Sequence, residues 1–250
     1  MPTPPQLPRR RNIKLNTRTH ELQISLPASA NEVWEAVSTP SEIVKWFTSG
    51  ARIEPGPDGT PSQGKLWLAW GDSPEGAHHI LVWEPGKRLV LGYGGQTVEF
   101  SIEAAGGTTT LHLVHSGFSA DAKFDDEYEA TFGGWSTYLA VLNYVLKNKR
   151  GQDVVNVTVT STVERPGHEV KPLMADGSQA LGMPVNVVSR PKDGYLVVSV
   201  PALDDSPVAL FCEAFGGKSC VTVSAYLFGD GRNHAETIRE RARVLFAEIK

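Results

Sequence analysis

Four histidines fall where chemistry could be done. His78 and His79 are adjacent, and His112 and His115 stand three apart in the run Thr110–Phe118, TLHLVHSGF. Apolar and polar positions alternate through that run, as in a strand, where residues three apart project to opposite faces. His112 and His115 therefore cannot readily chelate one ion, and the adjacent pair diverges for the same reason. No HExxH, no CxxC and no close carboxylate set supports them, so no metal site is expected. His115 shares the face of Leu111 and Leu113. It is either a lone polar group lining a pocket or a hydrogen-bonded core histidine. A GxSxG elbow, a phosphate-cradling loop and a dinucleotide fingerprint are all missing. No catalytic residue and no cofactor are assigned.

The aromatic residues carry more. Trp46, Phe47, Trp70, Tyr93, Phe100, Trp135 and Tyr138 fall at positions that point between a sheet and a helix in the element order set out below. Plain core packing is the alternative for each one. Together with Leu68, Leu113, His115 and Leu139 they form the candidate ligand-binding set, an apolar cavity with a few polar tips. Such pockets are the usual form of a small-molecule site.

Those side chains must be held by regular elements, and the pattern supplies them. Glu21 to Leu26 alternates as a short strand. Ser29 with Glu32 forms a capping box ahead of the stripe Val33, Trp34, Val37. Thr39, Pro40 and Glu42 signal a second helix start, with Ile43, Trp46 and Phe47 behind it. From Gly50 to His115 the period is two. Strands are expected at 51–54, 65–70, 78–83, 88–93, 97–104 and 108–115, with Gly, Pro or Asp in the separators. Short turns force antiparallel pairing. Helical spacing returns at Trp135, Tyr138, Leu139, Leu142, Val145 and Leu146, with Lys147, Lys149 and Arg150 at the C-terminal end. The Gly133-Gly134 step is expected to lead into that helix.

Composition narrows the partners. The 250 residues carry 24 Lys and Arg against 28 Asp and Glu, a net charge of −4, with 40% apolar and 21% charged residues. That is an ordinary globular balance without the basic surface nucleic acid requires. The basic cluster Arg9-Arg10-Arg11 follows a Pro-rich start, so residues 1–11 are expected to be a solvated tail. No secretory signal and no membrane span are expected. Cys212 and Cys220 lie in one hairpin whose turn at Gly216-Gly217 sets Cys212 opposite Val221, so no disulfide is expected and a cytoplasmic location fits.

One strand, two short helices, six antiparallel strands and a long helix is the order of the START-like helix-grip fold. The fragments ANEVWEAVSTPSEIVKWF, GKLWLAWGD, VWEPGKRLVLGY and GGTTTLHLVHSGF followed by GGW resemble the SRPBCC superfamily, in the branch of the activator of heat-shock-protein ATPase (Aha-type). The resemblance covers about Glu21 to Arg150. It implies an α+β fold in which a curved antiparallel sheet grips a long helix around an apolar cavity. The aromatic inner face and the lack of a catalytic set make non-catalytic binding of a hydrophobic small molecule the leading expectation; the resemblance implies as alternatives a protein–protein role with a chaperone ATPase or by self-association, and a cyclase- or hydrolase-like reaction using His115 or Tyr93.

The last hundred residues repeat part of this plan. Glu103-Ala104-Ala105-Gly106-Gly107 recurs as Glu213-Ala214-Phe215-Gly216-Gly217, each followed by a strand and a helix. The closing helix is expected to be capped by Asn233 with Glu236. Residues 165–183 carry Pro166, Pro172 and three glycines and show no helical stripe, so this copy is expected to lack the paired short helices. The expected organisation is a tail at 1–11, a helix-grip domain at 12–150 and a degenerate module at 151–250. Val197, Val208, Leu210, Val221 and Val223 are expected to form one apolar surface, only part of it covered by the closing helix, with the rest packed on the first domain or on another chain; the short link 149–153 makes the two halves one rigid unit.

Overall fold

A computed structural model describes residues 17–105 and 108–250. The Pro-rich start with its arginine cluster and the Gly106-Gly107 turn lie outside the described residues. The architecture is α+β, built on two antiparallel sheets.

The first sheet follows the expected order. Strand β1 (Thr17–Leu26) leads to helices α1 (Ala30–Ser38) and α2 (Pro40–Ile43). Strands β2 (Gly50–Glu54), β3 (Lys65–Ala69), β4 (Gly76–Glu84), β5 (Arg88–Tyr93), β6 (Gln96–Ala105) and β7 (Thr108–Ser119) follow. Their spatial order is β1-β7-β6-β5-β4-β3-β2, so the first strand closes against the last. The Ser29 capping box forms, with Ser29 N donating to Glu32 Oε2 at 2.7 Å and Glu32 N donating to Ser29 Oγ at 3.3 Å. Thr39 makes no side-chain cap, although Pro40 opens α2 as expected.

Two features were not foreseen along this half. Strand β7 runs to Ser119 instead of ending near His115, because a bulge at Gly117 carries it on: φ is +97° there, and a Cβ would meet the Gly95 carbonyl oxygen at 2.7 Å. The extra residue shifts the alternation, so His115 and Phe118 fall on the same side with ring centroids 4.4 Å apart. Helix α3 (Asp125–Asn148) begins ten residues before Trp135, which places Gly133 and Gly134 inside the helix and not in a turn before it. Asp125, Asp126 and Glu127 in its first turn suit the positive helix end.

The second sheet comprises β8 (Val154–Val163), β9 (Asn186–Lys192), β10 (Tyr195–Val200), β11 (Ser206–Phe215) and β12 (Lys218–Phe228). Its order is β8-β12-β11-β10-β9, again with the first strand beside the last but with five strands where the first sheet has seven. The two sheets are consistent with two modules. Contrary to expectation, two short helices do follow its first strand: α4 (Gly167–Met174) and α5 (Gly177–Leu181). Their prolines and brevity hide any stripe beyond the buried pair Val170 and Met174, and Asp176 caps α5 by accepting from Ser178 N and Gln179 N. The closing helix α6 (Ala235–Ile249) starts after a 3-10 turn at Gly229–His234; Asn233 lies inside that turn and is not the cap. Cys212 sits opposite Val221 and Glu213 opposite Cys220, and both thiols are free.

The second sheet is buried on both faces. Val208, Leu210, Cys212, Val221 and Val223 pack with α4, α5 and α6, while Tyr195, Val197, Ala209, Phe211, Tyr226 and Phe228 join the core of the first half. The five valine and leucine positions expected to form one surface are thus divided: only Val197 faces the first domain. Phe211 packs edge-on against Tyr138 of α3, and Tyr195 lies against Gly133. Helix α3 is therefore sandwiched, with Trp135, Leu139 and Leu142 toward the first sheet and the Gly133, Thr137, Val141 row, four residues apart, toward the second. Polar ties reinforce the junction. Asn156 Nδ2 donates to the carbonyls of Val44 and Thr48 at 3.1 and 3.0 Å, and the Tyr144 hydroxyl donates to Asp205 O at 2.8 Å.

An expressed fragment of residues 12–150 would expose the back of α3 and should be less soluble and unfold at lower denaturant than the full chain. Equal stability of the two proteins in urea, with independent tumbling of the two halves of the full chain, would show that the junction contributes nothing.

Candidate functional site

The concave face of the first sheet, helix α3 and the end of β11 enclose a cavity of about 340 Å³. The row Glu127, Thr131, Gly134 and Tyr138 forms the α3 wall, and Phe47 and Trp70 add to its aromatic lining. Tyr93 and Gln96 lie on the first-sheet side, and Phe215 on the second-sheet side. Tyr93 is 59% exposed and stacks on His78 at 5.0 Å, which places it at the mouth.

Phe47 organises the aromatic wall. It stacks on Trp46 at 5.2 Å and on Trp135 at 4.9 Å, and meets Trp70 and Tyr138 edge-on at 5.4 and 4.9 Å. These are favoured aromatic geometries, each contributing about 0.5–1.5 kcal/mol beyond area burial. A smaller void of about 40 Å³ adjoins the cavity and is lined by Trp46, Leu68 and Phe100, among others. Phe47 and Trp135 line both spaces.

His115 is fixed by two neutral partners. Trp135 Nε1 donates to His115 Nδ1 at 3.0 Å, so Nε2 carries the proton and donates to Gln96 Oε1 at 2.9 Å. The Gln96 amide in turn donates to Glu127 Oε1 at 3.3 Å. Burial, with smaller contributions from His20 and His78, lowers the His115 pKa to about 4. A depressed histidine favours the native state fully above its unfolded value near 6.5, and that contribution is lost as pH falls toward 4. His115 should titrate near pH 4 by NMR, and stability should decline from pH 6.5 to 4 more steeply in the wild type than in His115→Gln. Parallel stability profiles, or a midpoint near 6.5, would contradict this environment.

The eleven sequence-derived candidates separate into groups. Phe47, Trp70, Tyr93, His115, Trp135 and Tyr138 reach the cavity; Trp46, Leu68 and Phe100 reach only the adjoining void. Leu113 and Leu139 line neither and belong to the closed core, each almost wholly buried. Trp46 is mainly an anchor, 1% exposed, with Nε1 donating to Ala36 O at 2.8 Å. His112 lies on the other face near Glu103 Oε2, at 3.6 Å. No group of metal-ligating side chains occurs among the described residues. Sequence reasoning missed the wall residues Gln96, Glu127, Thr131, Gly134, Glu213 and Phe215. The last two had a signal: Phe211, Glu213 and Phe215 share one face of β11, a lone acid in an aromatic row.

Residues 27–147 match the model of the family described as activator of Hsp90 ATPase homolog 1-like protein. This segment belongs to that family. The AHSA1-like match stops at the end of α3, so the second sheet lies beyond it. Among solved structures, a conserved protein of unknown function from Enterococcus faecalis is 20% identical, with 54% of this chain and 74% of that one covered and a TM-score of 0.45. The Aha1 dimer from Colwellia psychrerythraea is 16% identical over 54% of this chain and 99% of that one, TM-score 0.44. DynU16, described as a putative protein in the dynemicin biosynthetic locus, is 16% identical over 92% of this chain and 95% of that one, TM-score 0.45. No curated protein matches the chain. No helix among the described residues is long and apolar enough to cross a membrane.

Proposed function

We propose that the protein binds a hydrophobic small molecule, without transforming it, in the cavity between the first sheet and α3, with β11 as the third wall. The observation that carries this reading is the aromatic lining of an open space of about 340 Å³, within the ~300–1,000 Å³ range of small-molecule sites. The few polar groups on the wall are held in place, as orientation of a ligand requires. His115 supports binding over catalysis: both ring nitrogens are engaged by an amide and an indole, and neither partner can relay a proton. A chaperone-regulator role is the second reading and rests on the family description. The free thiols Cys212 and Cys220 support a reducing, cytoplasmic setting.

Trp70 and Trp135 line the cavity and report on its contents. Titration with Nile red, an uncharged apolar dye, should give saturable energy transfer from tryptophan at one dye per chain. Non-saturable partitioning, or none, would remove the binding reading.

A further inference from the structure

The charge lining the cavity is one-sided. Its wall holds two carboxylates, Glu127 and Glu213, two histidines, and no lysine or arginine. Both histidines have lowered pKa values, chiefly through burial, and are neutral at ordinary pH. Glu127 is already engaged by the Gln96 amide. Glu127 is also exposed to water, whereas Glu213 is half-buried. Its one hydrogen bond among the described residues comes from the Tyr195 hydroxyl at 3.3 Å, a group shared with Ala130 O at 3.2 Å. No cation lies within ion-pairing distance of it among the described residues. A half-buried carboxyl with one long hydrogen bond is costly unless something completes its shell.

We propose that the cavity selects an apolar ligand bearing a basic nitrogen, whose ammonium pairs with Glu213 beside the aromatic rings of Trp70, Tyr138 and Phe215. This rests on the ligand-binding reading above and names the ligand class. Aromatic faces attract cations, and the attraction grows where water is excluded. The opposite charge on a ligand is disfavoured, because a carboxylate entering this space would meet two acids and no base. Desolvation raises the pKa of the Glu213 carboxyl. The ionisable groups facing it are Tyr195 on β10, Tyr138 on α3, Cys220 on β12 and its neighbour Cys212, and none can supply a positive charge. A bound ammonium supplies the missing counter-charge. Glu213 comes from the second sheet, so that module would set specificity for a cavity formed mainly by the first.

The test is displacement of Nile red from the full-length protein at neutral pH by three naphthalene probes of matched shape: naphthylmethylamine, naphthylmethanol and naphthoate. The amine should bind at least about tenfold more tightly than the alcohol, with naphthoate weakest. Glu213→Gln, which keeps the shape and can still accept from Tyr195, should erase the amine's advantage while Nile red and the alcohol bind as before. Glu103→Gln, at an exposed carboxylate beside His112 on the other face of the first sheet, should leave the advantage intact. An amine that binds no better than the alcohol in the wild type, or an advantage that persists in Glu213→Gln, overturns the proposal while the cavity reading stands. If Glu213→Gln loses Nile red as well, the wild-type ranking decides. If the wild type binds none of the probes, both readings fall.

Discussion

Replacing Gly134 with leucine should abolish ligand binding without weakening the fold. Gly134 lies on the cavity wall in mid-helix, and a Cβ built there meets only Tyr138 Cε2, at 3.9 Å. A leucine side chain therefore enters the cavity rather than the core. Glycine inside a helix costs about 0.8–1.0 kcal/mol relative to alanine, so a better helix former should hold or raise the melting temperature. Nile red affinity should fall about 100-fold, equivalent to about 3 kcal/mol of lost binding. Most substitutions in this wall, Trp135→Ala above all, confound binding with stability because they excavate the core. Gly134→Leu separates the two. A variant that binds dye as well as the wild type would mean that the dye sits elsewhere.

The neighbouring glycine should behave in the opposite way. A Cβ at Gly133 would lie 2.3 Å from Cζ of Tyr195, with Cε2 at 2.5 Å and Cε1 at 2.7 Å. That ring has little freedom to retreat: its hydroxyl is tied to Ala130 O and Glu213, and its face packs near Phe211 at 5.9 Å. Gly133→Ala must push the second sheet away from α3. Helix propensity favours the substitution, but overpacking of this kind typically costs 1–3 kcal/mol and occasionally more. We expect a net loss of about 2 kcal/mol in urea denaturation. Combining it with Tyr195→Leu should give less destabilisation than the sum of the two single changes, since both act on one contact. A Gly133→Ala protein as stable as the wild type would mean that the sheets are not closely joined through α3.

These adjacent glycines also mark where the sequence was legible. A Gly-Gly pair ahead of an amphipathic stripe reads as a turn, because glycine is a poor helix former and local rules carry no information on a sheet more than sixty residues away. Here tertiary packing overrides propensity: Tyr195 needs the space at Gly133. The first sheet was legible because its strands are half-buried, with Val98, Phe100 and Ile102 toward the helix and Thr97, Glu99 and Ser101 away from it. Strand β11 is covered on both sides, so its apolar run has no wet face from which to read the phase. That is why the interdomain face was misassigned and why Glu213 escaped notice. Helices α4 and α5 were missed for another reason: a proline within one and the brevity of the other leave only Val170 with Met174 and the Asp176 cap as signals. The cavity itself was half legible. Residues local to the helix-grip pattern, such as Phe47, Trp135 and His115, could be placed. Those at the β5–β6 turn, on the first turns of α3 or on the second sheet could not.

The central claim is that this cavity holds an apolar ligand, and native mass spectrometry of the protein purified from its own host tests it most directly. Wild type and Gly134→Leu should be prepared and sprayed side by side. The account predicts that the wild type carries one small molecule of drug-like size, released on gentle activation, and that Gly134→Leu flies at its bare chain mass. Bare mass for both proteins, or the same adduct on both, would contradict it.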